Sequence, residues 1–194
     1  MGLILASASP RRAELLRAAG YEFTTRAVEV DERVPPGESP HVYVRRLAAE
    51  KSFAAQAQRG PAHARRDPEI FLGADTAVVV DAEILGKPAD AADARRMLRM
   101  LAGRQHEVIT GVSLRRGAYE LGRVAATTVE FAPMSDADVS WYVSTAEGVD
   151  KAGGYAIQGL ASRFVCAIHG SYSNVVGLPI HVVRELLADI ASGG

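Results

Sequence analysis

The sequence has 194 residues, of which 48% are hydrophobic and 23% are charged, and its formal net charge is -1. These values are typical of a globular protein and exclude a largely disordered chain. A nearly neutral protein lacks the basic surface that broad nucleic-acid binding requires, so we expect no nucleic-acid partner. Cys166 is the only cysteine, which excludes an intramolecular disulfide and a multi-cysteine zinc site.

The same features predict a cytoplasmic protein. A single cysteine fits a reducing compartment. No apolar run in the sequence is long enough to span a bilayer, and the apolar start of the chain lacks the length and the basic leader of a signal peptide. We therefore expect no membrane partner.

The first part of the chain alternates predicted strands and helices. Ser9 and Pro10 fit the N-cap and the first position of a helix, and Ser39 with Pro40 repeats this start. In chain order we predict a strand at residues 3–6, a helix from 10 to about 20, a strand at 21–30, and a helix from 40 to about 58. Residues 59–69 contain two prolines and mixed charge, which predicts a mobile surface loop.

The second part begins with an almost continuously apolar run at residues 70–80. The interruption by Gly73, Asp75 and Thr76 predicts a central strand with a functional break. We further predict a helix at 90–101, strands at 108–115 and 118–131 joined by a tight turn, a helix that a capping box opens at Ser135, and a last helix at 179–190. Glycines recur between residues 152 and 177, as in loops that approach a ligand closely. Cys166 is predicted to be a core residue of a strand rather than a nucleophile.

This order of elements predicts an α/β fold with a mixed sheet. A chain of this length can bury one sizeable core, or two small lobes that share a cleft. We therefore predict one folding unit over residues 1–194.

A phosphate site is predicted where the first strand meets the first helix. The free N–H groups and the positive dipole of a helix N-terminus favour an anion, and Ser7, Ser9, Arg11 and Arg12 add donors suited to phosphate. Alternatively, Ser9 only caps the helix and the two arginines are solvated. For this short stretch alone, the second interpretation is the more frequent case.

A second candidate is Asp75, because a carboxylate inside an apolar strand is costly to bury unless it is paired or binds a metal. It could ligate Mg²⁺ or activate a water molecule. The alternative is an aspartate that caps a turn at a strand end. Glu32 could join Asp75 at a metal, or it could be an exposed acid of a turn.

Lys51 and Lys87 could neutralise phosphate charge in a transition state, although for either one alone a solvated lysine is the more frequent case. The five histidines lack zinc-type spacing. The sequence also lacks the P-loop and Gly-x-Gly-x-x-Gly motifs, so any phosphate site uses another frame.

Taken together, these stretches resemble the Maf family of nucleotide pyrophosphatases, which is named for an effect on septum formation. The resemblance covers nearly the whole chain, and the stretches occur in the family's order. They are Leu-Ala-Ser-Ala-Ser-Pro-Arg-Arg at 5–12, Val-Asp-Glu at 30–32, Gly-Ala-Asp-Thr at 73–76, Gly-Lys-Pro at 86–88, Asp-Lys-Ala-Gly-Gly-Tyr-Ala-Ile-Gln-Gly at 150–159, and Gly-Ser-Tyr-Ser-Asn-Val-Val-Gly-Leu-Pro at 170–179.

The resemblance implies an elongated mixed sheet flanked by helices, with two lobes around a cleft as in inosine triphosphate pyrophosphatases. It also implies a divalent cation, Mg²⁺ or Mn²⁺, and the homodimer that is frequent in the family. The catalytic residues it implies are Asp75, Lys51 and Lys87, with Glu32 beside Asp75 at the metal. The substrate-binding residues it implies are Ser7, Ser9, Arg11, Arg12, Thr76 and Gln158, and the stretch around Gln158 is similar to the subgroup that acts on dTTP and UTP.

These observations predict hydrolysis of dTTP and UTP to the monophosphate and pyrophosphate, by metal-assisted attack of water on the α-phosphorus. A second hypothesis keeps the reaction but changes the substrate to a modified or purine nucleotide. A third is a nucleotide-binding regulator of cell division that does not need catalysis. The presence of Asp75, Lys51 and Lys87 favours an enzyme, because a pure binding protein needs no carboxylate to activate water.

Overall fold

The computed structural model describes residues 2–58 and 69–192. Its strands are β1 (Leu3–Leu5), β2 (Phe23–Thr25), β3 (Ile70–Val80), β4 (Glu83–Leu85), β5 (Gln105–Arg116), β6 (Tyr119–Phe131) and β7 (Val165–His169). Its helices are α1 (Pro10–Ala18), α2 (Pro40–Ala57), α3 (Ala91–Leu101), α4 (Asp136–Ser144), α5 (Tyr172–Val176) and α6 (Ile180–Ser192). The strands lie in one sheet in the order β2-β1-β3-β5-β6-β7, and β4 pairs with β3.

The sheet is mixed, which confirms the predicted α/β class. Strand β1 runs parallel to both β2 and β3, whereas the β3–β4 and β6–β7 pairs are antiparallel. The helices predicted from the Ser-Pro starts and from the capping box also form. Ser9 occupies the N-cap of α1 without a side-chain cap bond, while Ser135 and Asp138 form the complete capping box of α4.

Two strand predictions need correction. Strand β2 covers only Phe23–Thr25 because β1, its partner, has just three paired residues. The backbone beyond it makes one more bond, from Arg26 N to Leu5 O, and then leaves the sheet. The predicted break in the apolar run 70–80 is wrong, since β3 passes without interruption through Gly73 and Asp75.

The backbone forms two compact units. The first comprises Met1–Asp75, Thr110–Ala125 and Gly177–Gly194, and the second comprises Thr76–Ile109 and Ala126–Val176. The chain therefore passes from one unit to the other four times, and three of these passages lie within the long strands β3, β5 and β6.

Alternation along the short strands gives the first unit two apolar faces. Leu5 and Leu72 point to one face, where they join a cluster that includes residues of α1 and α6. Ile4 and Phe71 point to the other face, where they pack with Ala55 of α2. Because successive side chains of a strand alternate between faces, this pattern places helices on both sides of the sheet.

The core of the second unit includes an aromatic cluster around a histidine. His106 is 3% exposed, and its ring packs edge-on against Phe131 and Tyr155. Its Nε2 lies 2.8 Å from the Tyr155 hydroxyl oxygen. Burial lowers the pKa of His106 from 6.5 to about 4, because the charged imidazolium would lose its hydration.

We expect the His106 environment to make the protein sensitive to acid. Below pH 6.5 the unfolded chain binds a proton at His106 that the folded protein does not bind until about pH 4. The free energy of unfolding should therefore fall through this range, by about 3 kcal/mol in all. Denaturant unfolding between pH 7 and pH 4 measures the loss.

The matched variants for this prediction are His106→Asn and His181→Asn, the second at an exposed site. Even if His106→Asn is less stable at pH 7, its stability should depend less on pH than that of the wild type. His181→Asn should keep the wild-type dependence. Parallel pH profiles for the wild type and His106→Asn would contradict the assignment.

Three further predictions concern single segments. Cys166 does lie in strand β7, but it is exposed rather than in the core. Strand β7 is the last strand of the sheet, and its apolar residues Val165 and Ile168 are also partly accessible. The predicted loop at 59–69 falls, except for its last residue, outside the described residues. In the described part of the chain, no helix combines the length and apolar character needed to cross a membrane.

Candidate active site

The start of α1 brings three of the predicted phosphate ligands together. The Ser7 side chain is buried, and its Oγ accepts hydrogen bonds from Ser9 N at 3.2 Å and from Arg12 Nη1 at 3.2 Å. Arg12 Nε donates to Gly177 O at 2.8 Å, which fixes the guanidinium beside the helix terminus. Arg11, the next residue of the first turn, is partly exposed.

The charge of Arg12 is held in a partly desolvated position. Burial lowers the pKa of Arg12 from its ordinary value, the charge of Asp75 raises it, and Arg11 and Glu32 make smaller, opposite contributions. The guanidinium therefore lies close enough to both carboxylates to interact with them. This electrostatic link joins the start of α1 to the acidic residues of the same unit.

Lys51 bridges the two predicted metal ligands. Its Nζ donates to Asp75 Oδ1 at 2.6 Å and to Glu32 Oε1 at 2.8 Å. Lys51 and Asp75 are buried, whereas the Glu32 side chain is half-exposed. The carboxylate inside the apolar strand is thus paired, as the cost of burying an unpaired charge requires.

A close approach of α2 to the sheet brings Lys51 to Asp75. A Cβ atom at Gly73 would lie 2.1 Å from Ala48 O, and one at Gly111 would lie 2.2 Å from Val44 O. Only glycine allows the helix backbone to pack this closely on β3 and β5. The Gly73-Ala74-Asp75-Thr76 stretch therefore supplies both the carboxylate and the space for the helix that carries its partner.

Two residues that the sequence analysis missed fix the segment that carries Glu32. The Tyr43 hydroxyl donates to Glu32 O at 3.0 Å, and Arg46 Nη2 donates to Arg33 O at 3.2 Å. Arg46 also forms an ion pair with Glu38 at 2.7 Å. Desolvation, with the charges of Asp75 and Glu32, raises the pKa of Tyr43 to about 12, so its hydroxyl remains a donor.

One pattern in α2 could have indicated these residues. Tyr43, Arg46 and Glu50 follow each other at helical spacing, so they form a polar stripe along one face. Such a stripe usually faces solvent. Here it contacts the segment that precedes the helix.

The remaining predicted site residues belong to the second unit. Thr76 follows Asp75 on β3, and Lys87 lies exposed between β4 and α3. Gln158 is exposed in a turn, and Gly153 N of the same glycine-rich stretch donates to Gly86 O at 3.0 Å. The position of these three residues relative to Asp75 stays a prediction.

The residues around Lys51 fit a divalent cation. Mg²⁺ commonly binds to one or two carboxylates of the protein, and phosphate oxygens and water complete its shell. Asp75 and Glu32 supply two carboxylates that a positive ammonium group already holds together. Throughout residues 2–58 and 69–192, no group of three or more His, Cys, Asp or Glu side chains could hold a metal ion alone. Water and oxygen atoms of a substrate are the other ligands that such an ion takes.

Known proteins resemble this chain over nearly its full length. The family model described as Maf-like protein matches residues 2–190. A dTTP/UTP pyrophosphatase of Anaeromyxobacter dehalogenans strain 2CP-C is 52% identical over 189 residues, which cover 95% of this chain and 92% of the relative. A dTTP/UTP pyrophosphatase of Anaeromyxobacter sp. strain Fw109-5 is 50% identical over 190 residues, with coverages of 95% and 87%.

The fold also occurs in a solved structure. The Ham1 protein of Staphylococcus aureus has a TM-score of 0.54 at 12% sequence identity, and the match covers 97% of this chain and 99% of that one. At this identity the likeness concerns the fold alone. From the family match, the chain belongs to the family of Maf-like proteins.

Proposed function

We propose that this protein is a nucleoside triphosphate pyrophosphatase that converts dTTP and UTP to the monophosphate and pyrophosphate. The observation that carries the proposal is the bridge from Lys51 to Asp75 and Glu32, in the same unit as the Ser7–Arg12 anion site. Two relatives about half identical in sequence are named dTTP/UTP pyrophosphatase, which supports the choice of substrates.

The triphosphate would bind at the start of α1. Backbone N–H groups and the helix dipole favour its negative charge, and the Ser7 and Ser9 hydroxyls and the Arg11 and Arg12 guanidiniums add donors. Lys87 is proposed to neutralise charge on the departing pyrophosphate. Apart from Arg11, these groups are proposed to bind the phosphates without contacting the base.

Asp75 is proposed to accept the proton of the attacking water. The new bond joins the water oxygen to the α-phosphorus, and the bond from the α-phosphorus to the bridging oxygen breaks, so pyrophosphate leaves with the electron pair. Lys51 orients Asp75, because its ammonium group donates a hydrogen bond to Oδ1 at 2.6 Å. A positioned carboxylate of this kind can act as a general base.

Asp75 and Glu32 are the residues proposed to hold the divalent cation, Mg²⁺ or Mn²⁺. When bound, the ion would stabilise the negative charge of the phosphate oxygens, including the charge that develops in the transition state. Tyr43 and Arg46 would maintain Glu32 in place through the backbone. These contacts support a carboxylate pair that is already positioned before substrate arrives.

Base selection is proposed to involve Arg11, Thr76 and Gln158. The Gln158 amide offers one donor and one acceptor. Uracil and thymine match this pair, since the imide N–H can donate to the amide oxygen and a ring carbonyl can accept from the NH₂ group. Adenine and cytosine present their donor and acceptor in the opposite order, so an amide held in one orientation would leave polar groups unpaired.

We further propose that the two units act together as one Maf-like domain, in a cytoplasmic homodimer that binds neither nucleic acid nor membrane. The family model spans both units. The single cysteine fits a reducing compartment. The near-neutral charge supports the absence of a nucleic-acid partner.

The test is pyrophosphate release from UTP, dTTP, CTP, GTP and ATP, with Mg²⁺, with Mn²⁺ and with a chelator. We expect turnover that requires a divalent cation and is fastest for UTP and dTTP. Faster turnover of a purine nucleotide would leave the reaction standing and overturn the base assignment. Nucleotide binding without turnover of any member would contradict the enzyme and favour a regulator.

A further inference from the structure

The turn that carries Gln158 is anchored although its apex is exposed. Gln158 is exposed, while Ala156, Ile157 and Ala161 around it are buried. Gly159 N donates to Ala156 O at 3.1 Å and closes the turn. The residues that hold the two ends of the turn therefore determine where the side chain at its apex lies.

Tyr142 and Glu147 hold both ends. Ala156 N donates to the Tyr142 hydroxyl oxygen at 3.1 Å, and that hydroxyl donates to Glu147 Oε2 at 2.8 Å. At the other end, Leu160 N donates to Glu147 Oε1 at 2.9 Å and Ala161 N donates to Oε2 at 3.4 Å. The Glu147 carboxylate therefore binds the Leu160 end of the turn directly, and it binds the Ala156 end through the Tyr142 hydroxyl.

Glu147 is itself fixed and ionised. Its backbone oxygen accepts a bond from Lys151 Nζ at 2.7 Å. Desolvation by burial would raise the pKa of the Glu147 carboxyl, but the bonds from Leu160 N and the Tyr142 hydroxyl, with smaller contributions, outweigh it and lower the pKa. An ionised carboxylate only accepts hydrogen bonds, so it matches the donors that surround it.

Gly159 leaves the space that the carboxylate occupies. A Cβ atom at this position would lie 2.1 Å from Glu147 Oε1. The Glu147 carboxylate can therefore approach the turn this closely because residue 159 has no side chain. This contact lies directly beside Gln158 in the sequence.

We infer that Glu147 is a positioning residue for base selection, and that it acts by holding the Gln158 turn through Tyr142, Leu160 and Ala161. The inference rests on the proposed function, in which Gln158 contacts the base. Discrimination by hydrogen bonds requires the amide to be held in one orientation, because a mobile amide can adapt to other bases. Glu147 supplies this rigidity without contacting the substrate.

The experiment compares Gln158→Ala, Glu147→Ala and the double variant by kcat/KM for UTP and CTP. Glu107→Ala removes an exposed carboxylate of the same unit and serves as the matched control. We expect Gln158→Ala to reduce the UTP-to-CTP ratio about tenfold or more, as the loss of one matched polar contact does. Glu147→Ala should reduce the ratio similarly, and the double variant should show no further reduction. Glu107→Ala should keep the wild-type ratio.

A second measurement follows the turn itself. Amide hydrogen exchange of the peptide that covers residues 155–162 should be faster in Glu147→Ala and unchanged in Gln158→Ala. If Glu147→Ala does not fold, Glu147→Gln replaces it, since glutamine retains one oxygen acceptor of nearly the same shape. This variant should lose part of the base preference while it remains folded.

Each contrary outcome has a separate meaning. If Gln158→Ala changes the ratio and the Glu147 variants do not, the inference is wrong and the proposed role of Gln158 stands. If the Glu147 variants slow all nucleotides equally, Glu147 has only a structural role and the inference is also wrong. If Gln158→Ala leaves the ratio unchanged, Gln158 does not select the base. The proposed role of Gln158 and the inference about Glu147 then both fail, while the proposed reaction stands.

Discussion

Replacing Asp75 with asparagine is expected to lower kcat for pyrophosphate release by about 10²- to 10⁴-fold, as is typical when a general acid or base is lost. The change is nearly isosteric, and the amide oxygen can still accept the bond from Lys51 Nζ. Lys51 also keeps its ion pair with Glu32. The protein should therefore remain folded, while its water-activating carboxylate is lost.

The matched control for this variant is Asp81→Asn, at the exposed residue that follows the same strand. Asp81 pairs with Arg104 on the surface, and such pairs contribute little to stability. Kinetics under saturating UTP, with circular dichroism and thermal unfolding of both variants, check the prediction. Near-normal kcat in a folded Asp75→Asn protein would remove Asp75 from the mechanism.

Gly73→Ala should cause a large loss of stability, because it adds a methyl group where α2 packs on the sheet. The added Cβ would lie 2.1 Å from Ala48 O and 2.7 Å from Ser52 N, both backbone atoms of α2. These atoms cannot rotate away, so the helix must move. Overpacking of a core costs about 1–3 kcal/mol and occasionally more, and we expect the upper end of this range. Displacement of Lys51 by about 1 Å could also cost about 10²-fold in turnover.

Gly2→Ala provides the comparison, because its Cβ would meet only Glu69 Cγ, at 3.9 Å. Gly2 precedes β1 in the same unit, and its substitution should leave both stability and kcat close to wild type. Urea unfolding and kcat for the folded fraction check both variants. If Gly73→Ala is as stable as Gly2→Ala, the close packing of α2 on β3 is not required.

The parts of the site that the sequence could predict depend on local chemistry. The anion site follows from a short strand that runs into a Ser-Pro helix start, and the structure places Ser7 and Arg12 together there. Asp75 could be predicted because a carboxylate in an apolar strand needs a partner. Lys51, by contrast, is only one of two candidate lysines until the family resemblance implies its catalytic role. The Lys51 side chain reaches Asp75 only because α2 lies close to the sheet. Gly73 and Gly111, which are remote from Lys51 in sequence, allow this approach.

The errors have the same origin. Composition predicts a strand wherever β-forming residues continue, but β2 ends after Thr25 because its partner strand is short. Cys166 has apolar neighbours in the sequence, yet it is exposed because β7 is the last strand of the sheet. Tyr43 and Arg46 resemble the solvent-facing residues of any helix. In each case the outcome depends on a neighbour that is not local in sequence.

The division of the first unit among three separate stretches of chain has a consequence for its synthesis. Arg12 beside the anion site donates to Gly177 O, and α6 supplies Val183, Leu186 and Ile190 to the core that contains β1. A nascent chain that has not yet released α6 from the ribosome exposes that apolar face. Contacts of such sequence separation also slow folding, since long loops must close first. The anion site near Arg12 thus completes its surroundings only after residues 177–190 have been translated, more than 160 residues later in the chain.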